Sequence, residues 1–224
     1  MMDWILSAQN DAARLPALLW QQWWLSAGWS VVMAWLGVWS VSRLIGRTDA
    51  KLTASLGLAV WVWLPGSWGG AYWLGLAFQA PSVTSVLLCG LLWGQMLLWP
   101  GQPKHLRKPW SGNLLFLALC GATLGWALLL DTLGIWSGSL YNWGFGAAAP
   151  AIVIGIAVLA WVFAKKALPV SNGVALLVTA IWLFVSLRLP TGNLFDALLD
   201  PLFWCCLQFA LIQQWRHRSK TTYT

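Results

Sequence analysis

The stretch from Asn113 to Pro150 decides how the rest of the chain is organised. It begins with the apolar run NLLFLALCGATLGWALLL (113–130), which is long enough to cross a bilayer and ends at Asp131. The loop TLGIWSGSLYNWGFG (132–146) follows, and AAAP (147–150) opens the next apolar run. Because this loop contains aromatic residues and glycines but no lysine or arginine, we expect it to face away from the cytoplasm.

The composition of the whole chain supports a membrane protein. Of its 224 residues, 59% are hydrophobic and only 8% are charged, whereas a soluble domain carries about 25% charged residues. A soluble domain this apolar could not cover its surface with polar groups, so we expect lipid to surround it. We therefore predict an all-α, polytopic helix bundle with no separate soluble domain and with membrane lipids as its immediate partners.

Apolar runs predict seven transmembrane helices, with a range of six to eight. The predicted helices cover about 20–45, 52–78, 82–99, 113–130, 147–164, 173–187 and 194–215. We predict that residues 1–18 form an amphipathic segment that lies in the membrane interface and is not cleaved off. Residues 216–224 are predicted to form a basic cytoplasmic tail. The second helix meets Pro65, where it either kinks or ends, and in the latter case 68–78 lies in the interface.

The placement of charge predicts the orientation. Eleven of the thirteen lysines and arginines lie in four groups, at 43–51, 104–108, 165–166 and 216–220. Seven crossings place these groups on one side and five of the six aspartates on the other. Because basic loops stay in the cytoplasm, we predict an outside N-terminus and a cytoplasmic C-terminus in the cell membrane, in a bacterium the inner membrane. Small basic groups between apolar runs also argue against a nucleic-acid partner.

A set of polar residues falls on the predicted non-cytoplasmic face, where charge is costly unless it is paired or functional. Its members are Asp131, Tyr141, Asn142, Arg188, Asp196 and Asp200. Asp196 and Asp200 are four positions apart, so on one helix they would share a face and repel each other. Arg188 is the expected partner that relieves this repulsion. Either the aspartates cap helix ends, or the cluster binds a substrate head group or an ion.

Aromatic residues in the non-cytoplasmic loop form a second candidate site. Trp136, Trp143 and Phe145 lie among glycines in the segment 136–146. Aromatic rings concentrate at membrane interfaces because they are half buried there. The segment therefore forms either an interfacial belt or a platform that grips a lipid tail or a partner helix.

Several kinds of chemistry find no support in the sequence. The only histidines, His105 and His217, lie in basic cytoplasmic segments, so we expect neither a haem held within the membrane nor a metal centre. The lysines also lie at the cytoplasmic edge, which argues against a retinal Schiff base. The four cysteines lie inside apolar runs and without a CxxC motif. We predict no cofactor, and the catalytic residues, if the chain has any, are not identified.

Small and polar residues within the apolar runs predict helix contacts. Gly121 and Gly125 form a GxxxG spacing, which favours close packing of the fourth predicted helix. Gln95 and Gln208 are expected to bond between helices rather than to a ligand.

Two pairs of short segments suggest an internal repeat. VWLPGS (62–67) and LRLPTG (187–192) each precede a helix opened near proline, in QAPS (79–82) and LLDP (198–201). This plan of three, one and three helices resembles a sugar-transporter family, although the Pro-Gln signature of that family is missing here. Parallel repeats occur in some transporters.

Three functions follow from these features. The first is a non-catalytic membrane subunit or assembly factor that works with a membrane-protein partner or as a homo-oligomer. The second is a transporter for a small or lipid-like solute. The third is an intramembrane enzyme that modifies a lipid or isoprenoid and uses Asp131, Asp196 or Asp200 as acid or base.

Overall fold

The computed structural model describes residues 15–45, 47–98, 112–135, 140–163 and 172–221. These ranges form helices and turns and contain no strand, which confirms the all-α prediction. Most of the predicted N-terminal segment, the basic loop at 104–108, Lys165 and Lys166, and Trp136 lie outside the described residues.

Ten α-helices occur in the described ranges. They are α1 Leu18–Leu44, α2 Thr48–Val62, α3 Gly70–Phe78, α4 Val83–Leu98, α5 Gly112–Thr132, α6 Leu140–Trp143, α7 Ala149–Phe163, α8 Asn172–Leu187, α9 Leu194–Leu198 and α10 Pro201–Thr221. A single 3₁₀ turn, Gly66–Trp68, lies between α2 and α3. Helix α10 continues six residues past the predicted end at 215, so the predicted tail begins inside this helix.

By length and composition, two of the described helices could cross a membrane. They are Leu18–Leu44 and Leu115–Thr132. Shorter apolar helices occupy Val83–Leu97, Ala149–Leu159 and Gly173–Leu187. Membrane association therefore has weak support from helix length alone, and the seven-helix membrane bundle stays a prediction.

The second predicted crossing, 52–78, is two helices rather than one. Helix α2 ends at Val62, and the chain passes through Pro65 and Gly66 before α3 begins. Gly66 has φ +61°, a left-handed conformation that glycine adopts without a steric cost. Helix α3 then packs back against the first part of α1, where the ring of Phe78 lies 6.1 Å from that of Trp29. The helix therefore ends near Pro65 instead of kinking there.

The seventh predicted crossing, 194–215, is also divided. Helix α9 ends at Leu198, Leu199 is extended with φ −143° and ψ 119°, and α10 begins at Pro201. Proline suits a first helical position because its missing N–H would be unpaired there. The expectation that Asp196 and Asp200 share one continuous helix face is therefore wrong.

The first half of the molecule, α1 to α4, is built around α1. Helix α2 is antiparallel to it, because Trp23 contacts Trp63 (5.3 Å between ring centroids) while Ser30 Oγ donates to the carbonyl of Ala59 (3.2 Å). Helix α4 is parallel to α1.

The α1–α4 contact depends on a small residue. A Cβ on Gly28 would lie 2.7 Å from Cγ of Pro81 just before α4, and further along a Cβ on Gly90 would lie 3.6 Å from Val31. This order of contacts along both helices fixes their parallel arrangement.

The second half, α5 to α10, is built on the pair α5 and α10. A Cβ on Gly121 would lie 2.9 Å from Leu207, and a Cβ on Gly125 would lie 2.3 Å from the ring of Trp204. The indole Nε1 of Trp204 donates to the carbonyl of Ala122 (3.1 Å). These contacts make the helices antiparallel, and they confirm the close packing that the GxxxG spacing predicted.

The helix ends that carry Asp131, Asp196 and Asp200 lie at the same end of the molecule. A core cluster there includes Val83 and Ala149, the first residues of α4 and α7, together with Phe184 near the end of α8. We call this the acid end, because it also holds Asp131, Asp196 and Asp200. The long helices α1, α2, α4, α5, α7, α8 and α10 alternate in direction. Arg43, Arg47 and Arg216 lie at the opposite helix ends, which we call the basic end.

Candidate functional site

Asp200 is a buried carboxylate between the first turns of two helices. Its side chain is 8% exposed. Oδ2 accepts hydrogen bonds from the backbone N–H of Ser82 (2.9 Å) and from the hydroxyl of Ser85, both at the start of α4. Oδ1 accepts from the backbone N–H of Phe203 in α10 (2.7 Å). The positive ends of two helix dipoles therefore stabilise this one carboxylate.

The serines beside Asp200 also bond to each other. Ser82 Oγ accepts from the backbone N–H of Ser85 (3.1 Å) and donates to Ser85 Oγ (2.8 Å). Next to them, Thr84 Oγ1 donates to the carbonyl of Ala197 (3.4 Å). The contact between the two halves at the acid end is therefore a network of neutral donors around one acid. Both carboxylate oxygens are used by protein groups.

Asp196 and Tyr141 form a second network. The Tyr141 hydroxyl donates to Asp196 Oδ2 (2.7 Å), and the Thr191 hydroxyl donates to the same oxygen. The backbone N–H of Tyr141 donates to Asp131 Oδ2 (2.8 Å). Burial, followed by the hydrogen bond to Asp196 and its charge, raises the pKa of Tyr141 well above its ordinary value. Three predicted site residues therefore meet, within the second half.

Asn193 holds this second network together and was not identified from the sequence. It is fully buried; its Nδ2 donates to the carbonyl of Tyr141 (2.8 Å), and its Oδ1 accepts from the N–H of Phe195 as the cap of α9 (2.8 Å). A Cβ on Gly144 would lie 1.8 Å from this Oδ1. Asparagine before an apolar helix, with an aspartate in the first turn, is a capping signal that could have located it.

Two members of the predicted cluster lie outside both networks. The Arg188 guanidinium carbon lies 5.2 Å from the ring centroid of Phe184. Asp196 and Asp200 bond instead to the hydroxyl and backbone groups described above, so the expected pairing with Arg188 is wrong. Arg188 has φ +56°, a left-handed conformation at the end of α8 that turns the chain toward α9. The Asn142 side chain is exposed.

The structure describes two of the three rings of the predicted aromatic platform, Trp143 and Phe145, and the platform itself stays a prediction. Trp143 is 54% exposed. Phe145 instead packs edge-on against Tyr141, with ring centroids 5.8 Å apart and an interplanar angle of 81°. Phe145 thus belongs to the Tyr141 network, and Trp136 lies outside the described residues.

A shallow groove lies away from both aspartate networks, toward the basic end. It has a volume of about 370 Å³ and lies between α5 and α10. Its lining consists of Leu115, Leu119, Leu211, Ile212, Gln214 and Trp215. In the described part of the chain, no three histidine, cysteine or acidic side chains lie close enough to hold a metal ion.

Fold and site together define an all-α protein whose two halves are joined by a buried aspartate. No protein-family model, curated protein or solved structure matches this chain.

Proposed function

We propose that this chain is a seven-crossing integral protein of the cell membrane, with its N-terminus outside and its C-terminus in the cytoplasm. Support comes from the alternating direction of the long helices and from the separation of charge between the acid end and the basic end. Of the four basic groups, 104–108 and 165–166 follow α4 and α7 in the sequence, 43–51 begins in the last turn of α1, and 216–220 lies in the last part of α10; these four helices point the same way.

The outer faces of the helices support the same proposal. Large apolar side chains stand exposed on different helices, among them Leu76 (67%), Trp182 (66%) and Phe209 (64%). Contiguous apolar surface is rare on soluble monomers, whereas lipid accommodates it at no cost. A helix shorter than the bilayer can be accommodated by local thinning.

Within the membrane, we propose that the chain is a non-catalytic subunit or assembly factor. The observation that carries this proposal is the use of the acids. Asp131 and Asp200 accept bonds from main-chain N–H groups, and Asp196 accepts from two hydroxyls of its own half. These side chains hold helix ends in place, which leaves the apolar outer surface as the part of the molecule available to a partner.

Reporters fused to the two termini test the topology. We expect the N-terminal reporter to be active outside the cytoplasm and the C-terminal reporter inside it. Activity of both reporters in the same compartment would contradict an odd number of crossings.

Photo-crosslinking in native membranes tests the accessory role. A photoreactive phenylalanine analogue at Trp182, on the outer face of α8, should form a discrete adduct with another protein. The same analogue at Phe184, which is fully buried two residues away, should not. If Trp182, Leu76 and Phe209 all gave lipid adducts alone, the proposal of a protein partner would fail.

A transporter is a second candidate because the helix order repeats. The same order occurs in α1 to α4 and again in α7 to α10: two long helices, a short helix and a long helix next to proline. Helix α5 and the four-residue α6 lie between the two sets. Both sets begin at the acid end, so the repeats are parallel, as in some transporters. Solute flux into liposomes that contain only the purified chain would favour this candidate. The lipid-modifying enzyme has no comparable supporting contact.

A further inference from the structure

The two halves are each tied together along their length by their own contacts. In the first half, Trp93 Nε1 of α4 donates to Ser55 Oγ of α2 (2.8 Å). In the second half, Trp204 of α10 bonds to Ala122 of α5 (3.1 Å). Past their first turns, α4 and α10 are therefore each bonded to a helix of their own half.

The bonds that join the halves are additional to the bonds that cap each helix. Helix α4 keeps its own cap, because Ser82 Oγ accepts from the N–H of Ser85. Helix α10 keeps its own cap, because Asp200 Oδ1 accepts from the N–H of Phe203. Of the two oxygens of Asp200, Oδ2 bonds to the first half, and the bond from Thr84 to the carbonyl of Ala197 is a further contact between the halves. The two bonds that Oδ2 accepts can break while both helices remain capped.

We infer that Asp200 is a latch between the halves, and that its release lets α4 and α10 move apart at the acid end while each half stays intact. The buried position of the carboxylate strengthens the bonds when the latch is closed. Val83 packs in the core cluster of the second half and still holds α4 nearby, so release loosens the acid end without separating the halves. This inference goes beyond the proposed function, since it needs neither a partner nor a solute.

Asp196 offers a matched control. It is a carboxylate at the same end, four positions away, and it accepts two hydrogen bonds. Its donors, Tyr141 and Thr191, lie in its own half. Replacing Asp196 by asparagine therefore removes a charge from the acid end without touching the contact between the halves.

Distances between spin labels on the full-length chain in lipid nanodiscs test the latch. The four native cysteines are replaced by alanine, and labelled cysteines are placed at Ala77 and Asn142, which are exposed at the acid end of the first and second half. In Asp200→Asn, we expect the Ala77–Asn142 distance distribution to broaden and to shift toward longer distances, because α4 and α10 move apart at the acid end. Labels at Ala77 and Gln22, both in the first half, should keep their distance.

The inference is overturned if the Ala77–Asn142 distances in Asp200→Asn are unchanged and equal those in Asp196→Asn. Asp200 would then serve only as the cap of α10. If Asp200→Asn does not fold, Ser85→Ala carries the test, because it removes one of the two bonds that Asp200 accepts from the first half and leaves the cap of α10. A broadened distribution in Ser85→Ala supports the latch, and an unchanged one rejects it. A shift in Asp196→Asn as large as in Asp200→Asn would also reject it. None of these readouts depends on the accessory role.

Discussion

Asp196 and Asp200 are four positions apart in the sequence, yet they do different things. Asp200 is 8% exposed and binds backbone and hydroxyl donors of α4 as well as α10. Asp196 is half-buried and accepts bonds only from hydroxyls of its own half. The extended residue Leu199 between them rotates the two side chains out of register. Because the helix is broken between them, Asp200 makes a contact between the two halves, whereas Asp196 makes a contact within the second half.

The largest effect is expected from Asp200→Ala. The change leaves the N–H groups of Ser82 and Phe203 and the hydroxyl of Ser85 without their acceptor. Because buried donors that lose a charged acceptor are costly, we expect a loss of about 3 kcal/mol or more in the free energy of unfolding. Denaturant titration in detergent micelles measures it. A loss as small as that of Asp196→Ala would show that the two carboxylates are equivalent.

Gly144→Ala should have the next largest effect, now on the Asp196 side. The new methyl group would overlap Oδ1 of Asn193, which is fully buried and bonded at both ends of its amide. Displacing that amide costs two hydrogen bonds, so we expect about 2 kcal/mol of destabilisation in the same titration.

The control for this glycine is Gly155→Ala in α7, where a Cβ would meet open space. It should change stability by less than about 0.5 kcal/mol or stabilise the helix slightly. Equal losses in the two variants would contradict a steric role for Gly144.

Asp196→Ala should cost less, about 1 kcal/mol, because water can replace a half-exposed acceptor. It should also lower the pKa of Tyr141 by removing the hydrogen bond and the negative charge. Absorbance of the ionised phenol measures this pKa, with Tyr141→Phe to assign the signal. A titration curve unchanged by Asp196→Ala would contradict the contact.

The smallest effect is a loss of stability at high pH. Folding raises the pKa of the Tyr141 hydroxyl above its ordinary value. The contribution of this group to the free energy of unfolding is therefore complete below the pKa of the phenol in the unfolded chain, which is about 10. The contribution is lost as the pH rises from there through the folded pKa, because the unfolded chain gives up the proton first. Tyr141→Phe should remove this component of the pH dependence, as measured by unfolding between pH 8 and 11.

Much of the helical plan could be predicted from the sequence, because apolar runs and basic groups are local features. The all-α class, the close approach at Gly121 and Gly125, and an interruption at Pro65, predicted as either a kink or an end, follow from such features. The break at Leu199 was not predicted, because the apolar run 194–215 was treated as one helix, although Pro201 is a local signal against a continuous helix there. The side chains of Asn193 and Asp200, one on each side of the break, form long-range bonds that the sequence pattern does not reveal.

The sequence predicted which acidic residues belong to the candidate site better than it predicted how they are arranged. Asp131 and Asp196 do meet at Tyr141, which bonds directly to both, and Asn193 and Thr191 add further bonds to this network. Asp200 lies in a separate network with Ser82 and Ser85. Sequence reasoning gave weight to charge and expected Arg188 as the partner. It had no means of finding donors that lie 118 positions away, as Ser82 does from Asp200.

That separation of 118 positions has a consequence for how the protein is made. Translation adds about 5 to 20 residues per second, so roughly 6 to 24 s pass between the synthesis of Ser82 and that of Asp200. During that interval the nascent α4 has its own serine cap but no acceptor from the second half. Closure of the Asp200 contact therefore reports that the chain has been made at least as far as residue 200, and a chain truncated before that residue would lack it.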